Sequence, residues 1–139
     1  MFILPLGVRF MCKLVPLKEG RCVAEIKLNH IRNICDQIEK CPSVSRVMLF
    51  GSALEERCTE KSDIDIAVFG DMSKGAYLKS KEFRDFRGRL FNYDLNQDYD
   101  VLYFEDKKIY KDAIMNDINK GIELYRRRGN AVDKRHYQS

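Results

Sequence analysis

The sequence predicts an α/β (α+β) domain, a small mixed β-sheet flanked by helices. Three observations predict it. Short apolar runs of strand length, Val47–Phe50, Ile64–Phe69 and Tyr99–Phe104, are separated by longer segments whose apolar residues recur every three or four positions. Two of those runs bracket a Gly51-Ser52 turn and a polar spacer, so they lie close enough in sequence to be neighbours in one sheet. At 139 residues the chain suits a single domain that buries its own core without staples, and no internal repeat divides it.

Taken in order, residues 1–21 read as an N-terminal extension. Met1–Leu17 is apolar in parts but is broken by Pro5, Arg9, Lys13 and Pro16. It lacks a basic start and a small-residue cleavage site, so it is expected to be extended, with Met11 as an alternative start. From Val23 to Glu39, Ala24, Leu28, Ile31, Cys35 and Ile38 fall on one helical stripe that Pro42 terminates. His30 lies beside that stripe with no carboxylate at a recognisable spacing, and is read as a solvated or hydrogen-bonded side chain rather than a catalytic one.

The next stretch carries the chemistry. Val47-Met48-Leu49-Phe50 reads as a strand that ends on Gly51-Ser52, followed by a short helix-compatible piece, Ala53–Cys58, and a polar loop, Thr59–Ser62. Asp63-Ile64-Asp65-Ile66 then opens a second strand. Alternation puts Asp63 and Asp65 on one face, with Ile64, Ile66 and Val68 on the other. Two ionised carboxylates this close are unfavourable unless a cation lies between them, and magnesium suits the role because it takes few carboxylate oxygens and completes its shell with water and phosphate. Glycine lets backbone approach a ligand closely, so Gly51 and Ser52 are candidates to hold phosphate oxygens.

After a turn-rich loop, Gly70–Gly75, a helix is expected from about Ala76 to Phe91. Leu78, Phe83, Phe86 and Leu90 form its apolar side, and Glu82 and Asp85 interrupt its basic residues. This reads as an amphipathic core helix, not a nucleic-acid surface. Asn92–Asp98 is a polar connector. The strand Tyr99–Phe104 places Asp100, Leu102 and Phe104 on one face, so that Asp100 would join Asp63 and Asp65 if the two strands are neighbours. Asp98 is a rival on the same face, while Asp94 and Asp106 read as turn residues. Lys107–Asn119 reads as a helix with Tyr110, Ile114 and Ile118 in line, capped by a left-handed Gly121, and Ile122–Tyr125 as a short edge strand. Residues 22–126 form the expected domain, and 127–139 a basic, loose tail.

Composition narrows the function classes. Hydrophobic residues at 45% and charged residues at 33% are ordinary for a globular chain, and no stretch approaches the length of a membrane span. The net charge of +4 suits polyanionic ligands, but much of it lies in Arg126-Arg127-Arg128 and Lys134-Arg135, so specific nucleic-acid binding is not expected. Cys12, Cys22, Cys35, Cys41 and Cys58 form no Cys-x-x-Cys pair, and with only His30 and His136 beside them a zinc site lacks ligands. Reduced thiols in a cytoplasmic protein are the expectation.

Gly51-Ser52, ten residues, then Asp63-Ile64-Asp65, with Asp100 on a later strand and Ile118–Tyr125 at the end, resembles the minimal nucleotidyltransferases of the DNA polymerase β superfamily over roughly residues 44–125. The resemblance implies a polymerase-β-like nucleotidyltransferase fold. It also implies two Mg²⁺ ions, with Mn²⁺ an alternative, held by Asp63, Asp65 and Asp100, which would be the catalytic residues. Gly51 and Ser52 would hold the triphosphate of ATP, and Asp100 would help remove the acceptor's proton. Where many relatives have arginines after Gly-Ser, this chain has Ala53-Leu54-Glu55-Glu56, leaving Arg57 and Lys61 as substitute nucleotide-binding residues. Similar stand-alone proteins are paired with HEPN-domain toxins as antitoxins, some transferring AMP to a tyrosine of the toxin. That is the expected activity. The alternatives are a non-catalytic antitoxin acting by contact and a transferase for small, antibiotic-like hydroxyl compounds; homo- and hetero-oligomers are both compatible with the sequence.

Overall fold

The computed structural model describes residues 11–128; the expected extended segment before residue 11 and loose tail from Gly129 onward, His136 included, lie outside the described residues. Strand β1 (Leu14–Lys18) pairs antiparallel with β2 (Arg21–Ala24) as a hairpin turned at Glu19-Gly20, both residues with positive φ. A 3₁₀ turn, Glu25–Lys27, leads into α1 (Leu28–Ile38), and β3 (Val44–Phe50) follows. A second 3₁₀ turn, Gly51–Leu54, starts the connection to β4 (Ile64–Gly70). Then come α2 (Lys74–Lys79), α3 (Lys81–Tyr93), β5 (Tyr99–Glu105), α4 (Ala113–Asn119) and β6 (Ile122–Arg126).

The sheet order is β5-β4-β3-β6, a mixed sheet as the sequence predicts. Strand β3 runs antiparallel to both β4 and β6, whereas β4 and β5 are parallel. A parallel pair needs a long crossover, and α2 with α3 supplies it. Alternation along each strand divides the core. Val47, Leu49, Ile64, Ile66, Val68 and Tyr103 face α1, α2 and α3, packing on Ile31, Ile34, Tyr77, Phe86 and Leu90. Met48, Phe50, Ala67, Phe69 and Phe104 face the other way and are covered by Met115 and Ile118 of α4. Asp65 and Asp100 belong by parity to this second face.

Several expected boundaries move. Val23 and Ala24 end β2 instead of opening α1, because Val23 pairs with Val15 and Ala24 with Leu14, and both are fully buried there. The helix expected over Ala76–Phe91 is two helices. Ser80, with extended backbone, breaks it and caps α3 by accepting the Phe83 N–H at 3.1 Å. The helix expected from Lys107 begins at Ala113. Tyr110 instead turns back on β5, where its hydroxyl accepts the Glu105 N–H at 3.0 Å and its ring meets Phe104 edge-on.

Gly121 is not a left-handed cap: among the described residues the positive-φ glycines are Gly20 and Gly51. Its role is close approach, since a Cβ there would strike the Leu49 carbonyl oxygen of β3 and lie 3.0 Å from that of Ile118. Arg21 of β2 donates to the Gly121 and Lys120 carbonyls at 3.1 and 2.8 Å, fastening the hairpin to the C-terminal end of α4. Arg127 donates to the Pro42 carbonyl at 2.7 Å. Among the described residues no helix is long and apolar enough to cross a membrane, and the five cysteines are free thiols.

Candidate active site

Strand β3 delivers the Gly-Ser bend to one end of the sheet, and β4 and β5 both begin there. Phe50 is the antiparallel partner of Asp65, and Asp65 is the parallel partner of Asp100. Neighbouring strands lie roughly 4.8 Å apart, so the two aspartates extend side by side from adjacent strands toward the α4 face. Asp63 immediately precedes β4 and is exposed, Asp65 is partly buried, and Asp100 is exposed. The expected convergence of Asp65 with Asp100 thus follows from the register of a parallel pair.

Gly51 has φ of 79°, in the left-handed region that glycine alone enters freely. A Cβ at this position would land on the Asp65 carboxylate, with Oδ2 well inside the 3.0 Å limit for real Cβ contacts. Gly51 therefore fills two requirements at once: it turns the chain out of β3 and leaves the cradle in which the Asp65 carboxylate sits. Ser52 follows within the 3₁₀ turn, its carbonyl accepting the Glu55 N–H at 2.9 Å. Burial pushes the Cys58 thiol up, while the Ser62 and Ser52 hydroxyls and the charge of Lys27 act in the opposite sense.

Electrostatics mark the same cluster. The Asp65 carboxyl is raised above the ordinary carboxylate range, first by burial, then by the charges of Asp100 and Asp63, with Arg57 opposing. An anion held here without a counter-charge is unfavourable, and a cation between the in-register carboxylates relieves it. Among the described residues no three His, Cys, Asp or Glu side chains form a ready-made metal cage. The donor set fits an ion that takes one or two protein carboxylates and completes its shell with water and phosphate oxygens, which is the habit of magnesium.

A groove of about 520 Å³ opens in front of the bend, lined by Phe50, Gly51, Leu54, Glu55, Arg57, Asp117 and Lys120. Arg57 is exposed and its guanidinium is held by Glu55, with Nη2 to Oε1 at 2.8 Å. Lys61 is exposed in the Thr59–Ser62 turn ahead of β4 and does not line this groove. Asp117 and Lys120 did not emerge from the sequence as site residues. They arrive on α4, which crosses the sheet face, and the only linear signal is their i, i+3 spacing at the end of a helix. His30 does have a carboxylate partner, Asp94, at 2.8 Å from Nε2; Asp94 is the residue that ends α3, and the pair lines a second groove with Lys27 and Gln97.

No curated protein matches the chain. Among the solved structures that share the fold are two toxin–antitoxin proteins. One is a mutant of the toxin–antitoxin MntA-HpeT, 16% identical with a TM-score of 0.50, over 78% of this chain and 86% of that one. The other is a toxin–antitoxin crystallised with AMP-PNP, 19% identical with a TM-score of 0.50 and the same coverage. The family model described as polymerase beta, nucleotidyltransferase, matches residues 29–130. That span takes in the bend at Gly51, both aspartate-bearing strands and the helix that covers them, so the chain belongs to the polymerase β nucleotidyltransferase family.

Proposed function

We propose that this nucleotidyltransferase moves AMP from ATP to a hydroxyl acceptor, a tyrosine of a HEPN-type toxin partner, and so acts as an antitoxin. The observation that carries the reading is the in-register pair Asp65–Asp100 beside the left-handed Gly51, which leaves anionic oxygens gathered where a nucleotide's phosphates would need a cation. The similarity in fold to a toxin–antitoxin crystallised with AMP-PNP supports the choice of nucleotide and partner class.

In this reading Asp65 and Asp100 would hold Mg²⁺, with Asp63 just ahead of β4 as a further carboxylate. When bound, the ion supplies charge neutralisation on the phosphoryl oxygens and on the departing pyrophosphate. Gly51 and Ser52 offer backbone and hydroxyl donors to the phosphates, with Arg57 and Lys61 as nearby cations. Asp100, exposed at the strand end, orients the acceptor hydroxyl and draws its proton as the oxygen bonds to the α-phosphorus and the bond to pyrophosphate breaks. Residues 22–126 carry all of these groups.

One observation favours a second reading, a non-catalytic antitoxin that neutralises its partner by contact. Arg57 is engaged by Glu55, and Glu55 itself lines the groove where a triphosphate would lie. Incubation with labelled ATP and Mg²⁺, with and without the product of the adjacent reading frame, separates the two. Label on that protein, lost with Asp63→Asn and Asp65→Asn, is expected from the transferase. Tight binding without label would assign the contact mechanism.

A further inference from the structure

Two of the three polar side chains buried among the described residues, the third being Asn33, touch each other. Lys27, at the end of the 3₁₀ turn before α1, is 1% exposed, and Gln97, in the connector before β5, is 5% exposed. Burying an ammonium group and an amide is unfavourable unless every donor and acceptor is used. Here Gln97 uses both amide hydrogens and its oxygen, and two of the three Lys27 N–H groups have acceptors. The Lys27 ammonium donates to the Gln97 Oε1 at 2.5 Å and to the Glu60 carbonyl at 3.0 Å. The Gln97 Nε2 donates to the Ser62 carbonyl at 3.1 Å and to the Asp98 carbonyl at 2.7 Å. The amide has one orientation: flipped, it would set its NH₂ against an ammonium and its oxygen against two carbonyls.

The accepting carbonyls belong to the residues that deliver the aspartates. Ser62 immediately precedes Asp63 and lies three residues before Asp65, while Asp98 lies two residues before Asp100. The first rung between the two strands is the Ile64 N–H donating to the Asp98 carbonyl at 3.1 Å, so one Asp98 oxygen takes both this rung and the Gln97 amide. We propose that Lys27 and Gln97 are positioning residues for the carboxylate site: their buried clamp fixes the starts of β4 and β5 relative to each other and thereby sets the spacing of Asp63, Asp65 and Asp100. The proposal rests on the metal-site reading above. The Gln97 amide holds a carbonyl one residue before Asp63 and three before Asp65, and another two residues before Asp100, so it acts on the carboxylates through the backbone, as outer-shell partners do.

The test uses the full chain and Mn²⁺ alone as probe, with affinity read by water-proton relaxation and fold by thermal unfolding. Gln97→Glu keeps the acceptor for Lys27 and loses the donors to Ser62 and Asp98; Lys27→Met keeps the aliphatic stem and loses the ammonium. Each is expected to weaken Mn²⁺ binding by about tenfold or more while the chain stays folded at 25 °C, and Gln97→Asn is expected to recover none of it because the shorter arm cannot reach the Ser62 and Asp98 carbonyls and the Lys27 ammonium together. Wild-type amide exchange gives a second readout that does not depend on any variant folding. Mn²⁺ replaced by Mg²⁺ is expected to slow exchange at Ile64 and at the Gln97 side-chain amide together. Wild-type affinity within twofold in folded Gln97→Glu and Lys27→Met, or no change at the Gln97 amide when Mg²⁺ binds, would overturn the proposal. Failure of the wild type itself to bind Mn²⁺, or full binding by Asp65→Asn, would overturn the metal-site reading and this proposal with it.

Discussion

Asp100→Asn is expected to stabilise the metal-free protein and to remove its response to magnesium. Asp65 and Asp100 are register partners on adjacent parallel strands, so their carboxylates lie roughly 5 Å apart by strand spacing. Two unit charges at that distance repel by about 3 kcal/mol at an effective dielectric of 20 and by about 0.8 kcal/mol in water. Asp100 is exposed, so the lower end applies, about 1 kcal/mol, which raises the Tm of a 139-residue domain by roughly 3–4 °C at pH 7.5. The sign with pH follows from Asp65. Its folded-state value is raised by burial, Asp100 and Asp63, so its contribution to stability is fully present below the unfolded value and is lost as pH rises through the folded one. The advantage of Asp100→Asn is therefore largest at neutral pH and disappears in acid, where Asp65 is protonated and there is nothing to repel. Magnesium inverts the order, because a ligand at a hundred times its Kd adds roughly 2.7 kcal/mol to the protein that binds it. Differential scanning calorimetry of both proteins at pH 4 and 7.5, with and without Mg²⁺, checks all four corners. A variant less stable than wild type in EDTA at pH 7.5, or one that gains as much from Mg²⁺ as wild type does, would refute the electrostatic account.

Gly51→Ala adds a methyl group against the Asp65 carboxylate in a left-handed backbone, and is expected to cost about 1–3 kcal/mol in urea unfolding and to abolish Mn²⁺ binding, since the carboxylate must leave its cradle. Gly121→Ala drives a Cβ into the Leu49 carbonyl and is expected to cost at least as much stability, about 2–4 kcal/mol, by parting β3 from the end of α4. Tyr77→Phe is expected to be neutral or to raise the Tm by a few degrees, roughly 1 kcal/mol, because the Tyr77 hydroxyl is fully buried with no hydrogen-bond partner among the described residues while its ring stacks on Tyr103 at 4.1 Å. Lys120→Ala is expected to raise the KM for ATP severalfold with Mn²⁺ affinity unchanged, because Lys120 lines the groove and not the carboxylate pair.

The sheet and its acidic strands were legible because side-chain alternation survives in short sequences: the parity that buries Ile64 and Ile66 on one face dictates where Asp65 goes. Helix ends were less legible. A propensity pattern continues through Ser80 and through 107–112 without a break, whereas the structure uses Ser80 as a cap and Tyr110 as a lid on β5. The hairpin was hidden because Pro16 and Lys18 interrupt the apolar alternation of Leu14–Lys18. Partners far apart in sequence could not be paired at all: His30 with Asp94, or Lys27 with Gln97, are 64 and 70 residues apart. Nothing local distinguishes Lys27 from the exposed lysines around it, and only its 1% exposure does so.

Three features that oppose stability lie together. The left-handed Gly51, the raised carboxyl of Asp65 beside Asp100 and the desolvated ammonium of Lys27 all lie around the starts of β4 and β5, whereas Ala67, Val68, Phe69 and Phe104 at the other end of those strands are buried and apolar. A leucine at position 65 would continue the apolar face formed by Phe50 and Ala67, so the carboxylate there works against packing. Two of these are answered within the protein: the Asp65 carboxylate occupies the space that Gly51 leaves open, and the Lys27 ammonium has the Gln97 and Glu60 oxygens. The Asp65–Asp100 pair is the one that, under the proposed reading, a cation would balance.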